Sequence, residues 1–161
     1  MNFFSPQNIL SKKGFTMVEI MVVLAVLLVL AGISLGSLIN TNDKQALDKS
    51  TLAVTALLEQ ARGSTLASKN DSEYGVHFDA DKAVMFKGTT YSSSNSSNIS
   101  APINYRVQIS GVSLSGGGNE VIFQRLTGGT IYTGTITLSL VASSTQTKTI
   151  TIYGTGVIDR N

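Results

Sequence analysis

The sequence predicts an α+β protein in which a long N-terminal helix, with a membrane half and an amphipathic half, packs on a C-terminal antiparallel β-sheet head. Three observations predict it. Ile20 to Ile39 form an almost unbroken apolar run, and Asn40 to Asn70 keep a helical spacing of apolar residues. Beyond Asn70 the period drops to two, in short runs rich in Val, Ile, Tyr, Phe and Thr.

The apolar run is interrupted only by Gly32, Ser34, Gly36 and Ser37. About 20 residues rising roughly 1.5 Å each match the roughly 30 Å hydrocarbon core of a bilayer, so the run is expected to cross a membrane. Lys12 and Lys13 precede it. The bias of basic residues toward the cytoplasm puts the amino terminus inside and everything after Asn40 outside. An ordinary secretory signal has a shorter apolar core and an A-x-A-like cut, neither of which fits. A lipoprotein signal needs a cysteine, and the sequence has none, which also removes disulfide staples and thiolate chemistry. A simple anchor leaves Glu19 unexplained unless its carboxylate snorkels to the interface, because ionised groups at the head of an apolar helix are costly and usually functional.

The block Gly14-Phe15-Thr16-Met17-Val18-Glu19-Ile20-Met21-Val22-Val23-Leu24 closely resembles the class III signal of type IV pilins and pseudopilins. The resemblance implies that a membrane aspartic peptidase, the prepilin peptidase, cuts between Gly14 and Phe15 and methylates the new amino terminus at Phe15. Met1 to Gly14 is then a leader whose basic residues are Lys12 and Lys13. It also implies that Glu19 serves assembly. A carboxylate in apolar surroundings is tolerated when it meets a cation, here the terminal amine of a neighbouring subunit or of its own chain. The partners implied are other pilins or pseudopilins in a filament and an inner-membrane assembly platform, with no cofactor. The localisation implied is the bacterial cytoplasmic membrane, then a periplasmic or cell-surface filament.

One position departs from the family pattern. Many members carry proline where Gly36 stands; proline would remove a helical hydrogen bond, whereas glycine costs about 1 kcal/mol relative to alanine. Gly32 and Gly36 also have the G-x-x-x-G spacing that lets membrane helices pack closely.

The second half of the helix is amphipathic. Leu47, Val54, Leu58 and Ala61 fall on one face with Leu57 beside them, while Asp48, Lys49, Glu59 and Arg62 fall largely elsewhere. Gly63, or Ser68 to Asp71, is expected to mark the end. The apolar repeat does not persist long enough for a coiled coil. The organisation expected is leader 1–14, membrane and assembly helix 15–39, amphipathic helix 40–70 and β-rich head 71–161.

Strands are expected at Tyr74 to Phe78, Ala83 to Lys87, Ile103 to Leu114, Glu120 to Gln124, Thr135 to Val141 and Thr149 to Tyr153. Asp79-Ala80-Asp81 joins the first pair. The alternation in Thr135 to Leu140 and Thr149 to Ile152 gives one apolar and one polar face, so each sheet is expected to be half solvated. Gly88 to Ala101, dominated by Ser, Asn and Thr, reads as a mobile surface loop that buries almost nothing. Gly116-Gly117-Gly118 reads as a tight connection; no Gly-Lys-Ser or Gly-Lys-Thr follows to make it a phosphate cradle.

The series Val121-Ile122-Phe123, Gly128-Gly129, Gly134 to Leu138, and Ile150-Thr151-Ile152 with Gly154, Gly156 and Val157 resembles the C-terminal half of GspH/FimT-type minor pseudopilins. That resemblance, over about Leu47 to Arg160, implies two β-sheets and a place at or near the tip of a type II secretion pseudopilus or type IV pilus-like filament. Some FimT-like proteins bind DNA for uptake through a C-terminal Gly-Arg-x-Arg element. Here the corresponding end is Gly156-Val157-Ile158-Asp159-Arg160, with the first arginine missing and an acid present.

Charge points the same way. Of the twelve Lys and Arg two lie in the leader, and of the ten Asp and Glu one is Glu19, which leaves ten cations against nine acids in the exported part. These alternate along the chain instead of forming a basic block, so nucleic acid is not the expected partner. The exported part has about 120 residues, enough for one modest domain.

An enzyme is not expected. His77 is the sole histidine and stands inside an expected strand with no neighbouring nucleophile. Asp79 and Asp81 begin like a calcium loop, but Ala83 occupies the place of the third oxygen ligand, so a hairpin turn is the better reading and no metal site is expected.

Overall fold

The computed structural model describes residues 14–161, the side chains of residues 33–40 excepted. Lys12 and Lys13, and any packing at Gly36, lie outside the described residues. Two compact units are present, residues 1–40 and residues 41–161.

Helix α1 runs over Met17–Leu66. It passes Gly63 and stops where Ser68, Asn70 and Asp71 take positive φ around a single 3₁₀ turn, Lys69–Asp71. Among the described residues no helix is long and apolar enough to cross a membrane. The expected span from Ile20 to Ile39 is therefore not recovered, its described side chains ending at Gly32.

The head contains β1 (Tyr74–Phe78), β2 (Lys82–Lys87), β3 (Ile99–Pro102), β4 (Val107–Leu114), β5 (Glu120–Phe123), β6 (Gly134–Leu140), β7 (Thr147–Ile152) and β8 (Ile158–Arg160). They form two four-stranded sheets, β3-β2-β1-β5 and β4-β6-β7-β8. Every pairing is antiparallel. The expected α+β architecture, a helix on two antiparallel sheets, is the one observed.

One core joins the helix to both sheets. From α1 come Ala46, Leu47, Val54, Leu57, Leu58 and Ala61; from the first sheet Val76, Phe78, Met85, Val121 and Phe123; from the second Ile109, Ile136, Leu138, Ile150 and Ile152. The apolar stripe read from the sequence is the buried face of the helix. Three buried threonines lie on it as well. Thr51, Thr55 and Thr65 donate to the carbonyls of Leu47, Thr51 and Ala61 at 2.8, 2.9 and 2.9 Å, which satisfies each hydroxyl within the helix. The Thr65 hydroxyl also accepts the Tyr74 N–H at 3.0 Å and so fixes the start of β1 against the helix.

Three strand expectations need correction. Residues 99–102 are strand β3, so Gly88 to Ala101 is not all loop. The remainder of that segment is turned on itself, with Asn98 Nδ2 donating to the Ser92 carbonyl at 2.8 Å and Asn95 Oδ1 accepting the Ser97 N–H at 2.9 Å. Strand β4 begins at Val107 instead of Ile103, because Asn104 closes a turn by accepting the Val107 N–H at 2.7 Å. Ile158–Arg160 adds a short edge strand, β8, which the sequence reading did not assign. The Asp79-Ala80-Asp81 hairpin turn forms as expected, closed by Asp79 N–H donating to Lys82 O at 2.9 Å. The three glycines at 116–118 all take positive φ in the β4–β5 connection, as a tight turn there requires.

Candidate functional site

The residues that the sequence singles out for processing and assembly cluster at the start of α1. Gly14 and Phe15 precede the helix, and Phe15 is 78% exposed. Thr16 caps the first turn: its hydroxyl accepts the Glu19 N–H at 3.2 Å, and its carbonyl accepts the Ile20 N–H at 3.2 Å. Thr16-Met17-Val18-Glu19 has the spacing of a capping box, with an acid in the first turn where the helix dipole favours it. The sequence reading passed over this signal. Glu19 thus has a local structural role beside the assembly role that the resemblance implies. Its carboxylate is exposed and has no partner among the described residues.

Downstream, Ile20, Met21, Val22, Val23, Leu24, Val26, Leu27, Leu28, Val29 and Leu30 are all exposed. Apolar residues occupy every face of this stretch, so no orientation within a single chain hides them. Counting Phe15, Met17 and Val18 too, about half or more of each side chain remains open to a new apolar environment. At about 1.5–3 kcal/mol for complete burial of each, covering them is worth on the order of 10–20 kcal/mol. Gly32 has open space around the position of a missing Cβ, so a neighbouring backbone can approach it. Gly36 belongs to α1, but its surroundings are not among those described.

The head contributes two polar constellations that the sequence order concealed. His77 on β1 faces Glu120 on β5 in register; its Nδ1 lies 3.1 Å from Glu120 Oε1 and its Nε2 3.2 Å from Asp79 Oδ1. Both ring nitrogens are thereby engaged by carboxylates, leaving neither to activate a hydroxyl nucleophile. Separately, Lys49, Lys148 and Arg160 line one groove of about 410 Å³ together with Asp48, Thr51, Leu52 and Asn161. These cations are distant in sequence and are brought together by α1, β7 and β8. Asp48 lies 3.6 Å from Lys148 and offsets part of that charge.

Other ion pairs serve the head's own packing. Arg106 donates to Asp43 Oδ1 at 3.0 Å and, through Nε, to the Tyr105 hydroxyl at 3.0 Å. The Tyr105 hydrogen bond first, and then that of Asp43, push the guanidinium pKa above its usual value. Arg125 bonds Asp71 and Ser68 at the helix end.

The prokaryotic N-terminal methylation motif matches residues 9–35, the segment that contains Gly14, Phe15, Glu19 and the whole exposed apolar stretch through Leu30. No curated protein and no solved structure matches the chain. The motif is a type IV pilin-like prepilin signal, and it supports a pilin-like subunit processed by prepilin peptidase.

Proposed function

We propose that the protein is a noncatalytic minor pseudopilin of the GspH/FimT type, cleaved after Gly14, N-methylated at Phe15, and polymerised through its N-terminal helix into a type II secretion pseudopilus or pilus-like filament. The observation that carries this reading is the segment from Phe15 to Leu30, apolar on all sides of its helical part, exposed, and headed by a carboxylate with no partner among the described residues. Before assembly the cytoplasmic membrane covers this surface, with the amino terminus inside and the head outside; afterwards sister helices do. Glu19 sets the register by meeting the terminal amine of a neighbour, because a buried carboxylate without a cation is strongly unfavourable. Lys12 and Lys13 orient the unprocessed chain, and Gly32 with Gly36 admits close helix contact.

Glu19→Ala tests the pairing. The variant is expected to insert in the membrane normally but to enter sheared filaments at least about tenfold less than the parent, since breaking a buried pair costs several kcal/mol. Normal incorporation overturns the pairing. Mass spectrometry of mature protein is expected to show methylated Phe15 at the amino terminus; a chain still beginning at Met1, or beginning beyond Asn40, counts against the processing scheme.

The groove lined by Lys49, Lys148 and Arg160 motivates a second reading, DNA capture by a FimT-like minor pilin. Asp48 within that groove and Asp159 beside Arg160 weigh against it, as does the absent first arginine of the Gly-Arg-x-Arg element. A gel-shift titration separates the two: salt-sensitive binding at low micromolar protein favours capture, and its absence favours assembly alone.

A further inference from the structure

We propose that the segment 88–98 is a lid over the outer face of the first sheet, latched in place by the doubly protonated ring of His77. Strand alternation puts Val76, Phe78, Ala83, Met85, Val121 and Phe123 in the core and turns His77, Val84, Phe86 and Glu120 to the opposite face. Val84 and Phe86 are nevertheless buried there, Phe86 to 1% exposure. The Phe86 ring lies across Gly75, where an added Cβ would come within 2.6 Å of it. Tyr91, from the lid, closes over this surface. Its ring stacks on His77 with centroids 4.0 Å apart and planes 12° apart, and it meets Phe86 at 5.6 Å.

Residues 92–98 of the lid hold their own shape through the Asn98 to Ser92 and Ser97 to Asn95 hydrogen bonds. Tyr91 and Asn98 are its half-buried side chains; the serines, the threonines and Asn95 are exposed. Where the lid leaves β2 it is tied by Gly88 N–H donating to Glu73 O at 2.8 Å; beyond that point its side-chain hold on the sheet runs through Tyr91, and so depends on what Tyr91 stacks against.

That support changes with protonation. A neutral imidazole carries one N–H and can donate to Glu120 or to Asp79 but not to both, whereas the imidazolium donates to both. A cation beneath the tyrosine face adds a further attraction. The charged and titratable groups around the ring are Glu120 from β5, Asp79 from the β1–β2 turn, Lys82 from β2 behind Asp79 at 3.7 Å, and Tyr91 from the lid. The sign follows: the lid is held while His77 is a cation and loosens as rising pH removes its second proton.

Because His77 is the sole histidine, its imidazole nitrogens are unambiguous by NMR in the full chain in detergent micelles. The titration is followed from about pH 5 to about pH 8, the interval in which histidines change charge. Hydrogen exchange of residues 88–98, corrected for the intrinsic pH dependence of the chemistry, is measured alongside. Protection of the lid is expected to fall about tenfold in step with the ring's deprotonation, the loss of one charge-assisted hydrogen bond. His77→Phe keeps a ring for Tyr91 but no charge and is expected to abolish the step, while Tyr91→Ala lowers protection at every pH. Glu120→Gln, which preserves shape, is expected to shrink the step. Constant protection across the titration, a step that persists in His77→Phe, or an unchanged step in Glu120→Gln overturns the latch.

Discussion

Gly156→Ala tests how the end of α1 is clamped to the head. Gly156 has φ +77°, and a Cβ built on it falls 1.8 Å from the Gly128 carbonyl oxygen and 2.8 Å from Arg62 Nε. The first contact is with backbone, so no rotamer change relieves it, and the 153–157 turn must separate from the 124–130 turn. Three hydrogen bonds bridge that junction: Arg62 Nε to Gly128 O at 3.2 Å, Arg62 Nη2 to Thr155 O at 3.3 Å, and Thr130 N to Gly154 O at 3.0 Å. Placing a non-glycine residue in the left-handed region costs about 1 kcal/mol, and two or three weakened bonds cost about 1 kcal/mol each. The sum is about 3 kcal/mol, or a fall in Tm of about 10 °C for a domain of this size. All five tyrosines lie beyond residue 41 and there is no tryptophan, so the tyrosine band of the near-ultraviolet circular dichroism of the full chain in detergent reports the head alone. A Tm within about 2 °C of the parent would refute the clamp, since even the backbone strain alone predicts more.

Two further substitutions probe the helix. Leu58→Ala, at a fully buried position in the shared core, is expected to cost about 2–5 kcal/mol in denaturant unfolding; a loss below about 1 kcal/mol would mean that the helix does not pack where described. Gly63→Ala meets nothing within 4 Å and sits in helical backbone, so it is expected to stabilise the head by about 0.5–1 kcal/mol, seen as a higher Tm, and a lower Tm would reveal a hidden close approach there.

What the sequence made legible was whatever is periodic or local. The helix face through Leu47, Val54, Leu58 and Ala61 repeats every three or four residues, and each of these is buried. Strands β1, β2, β5, β6 and β7 announce themselves through β-branched and aromatic residues. Strand β3, Ile-Ser-Ala-Pro, lacks that composition and exists because β2 offers it a partner edge. Strand β8 is too short to carry a pattern and is held by pairing to β7. The His77 cluster was illegible for a different reason. Glu120 stands 43 positions away, and only the antiparallel register of β1 and β5 sets it opposite. Tyr91 looked like one aromatic in a polar loop until the sheet face beneath it was visible. The Thr16–Glu19 cap, by contrast, was in plain view, but the functional reading of Glu19 drew attention from its local one.

The two units also differ in how they treat unsatisfied surface, and the contrast bears on how a filament could grow. Each sheet has two edges, and an open edge invites pairing with another chain. Here the edges are blunted. Asp159 Oδ1 accepts the Arg160 N–H at 2.8 Å on β8, Thr130 donates to the Ile122 carbonyl at 2.8 Å on β5, Ala80 O accepts the Ile109 N–H at 3.0 Å on β4, and β3 ends in Pro102. Each of the four edges thus has one backbone group already engaged or, at Pro102, missing its N–H, which disfavours strand addition there. The segment from Phe15 to Leu30 has no such protection, and its exposed area is apolar instead of hydrogen-bonding. Lipid and sister helices satisfy such a surface equally well, because neither requires new hydrogen bonds. A subunit built this way can leave a bilayer for a helical bundle at little cost, while the engaged edge groups of its head disfavour strand addition between heads.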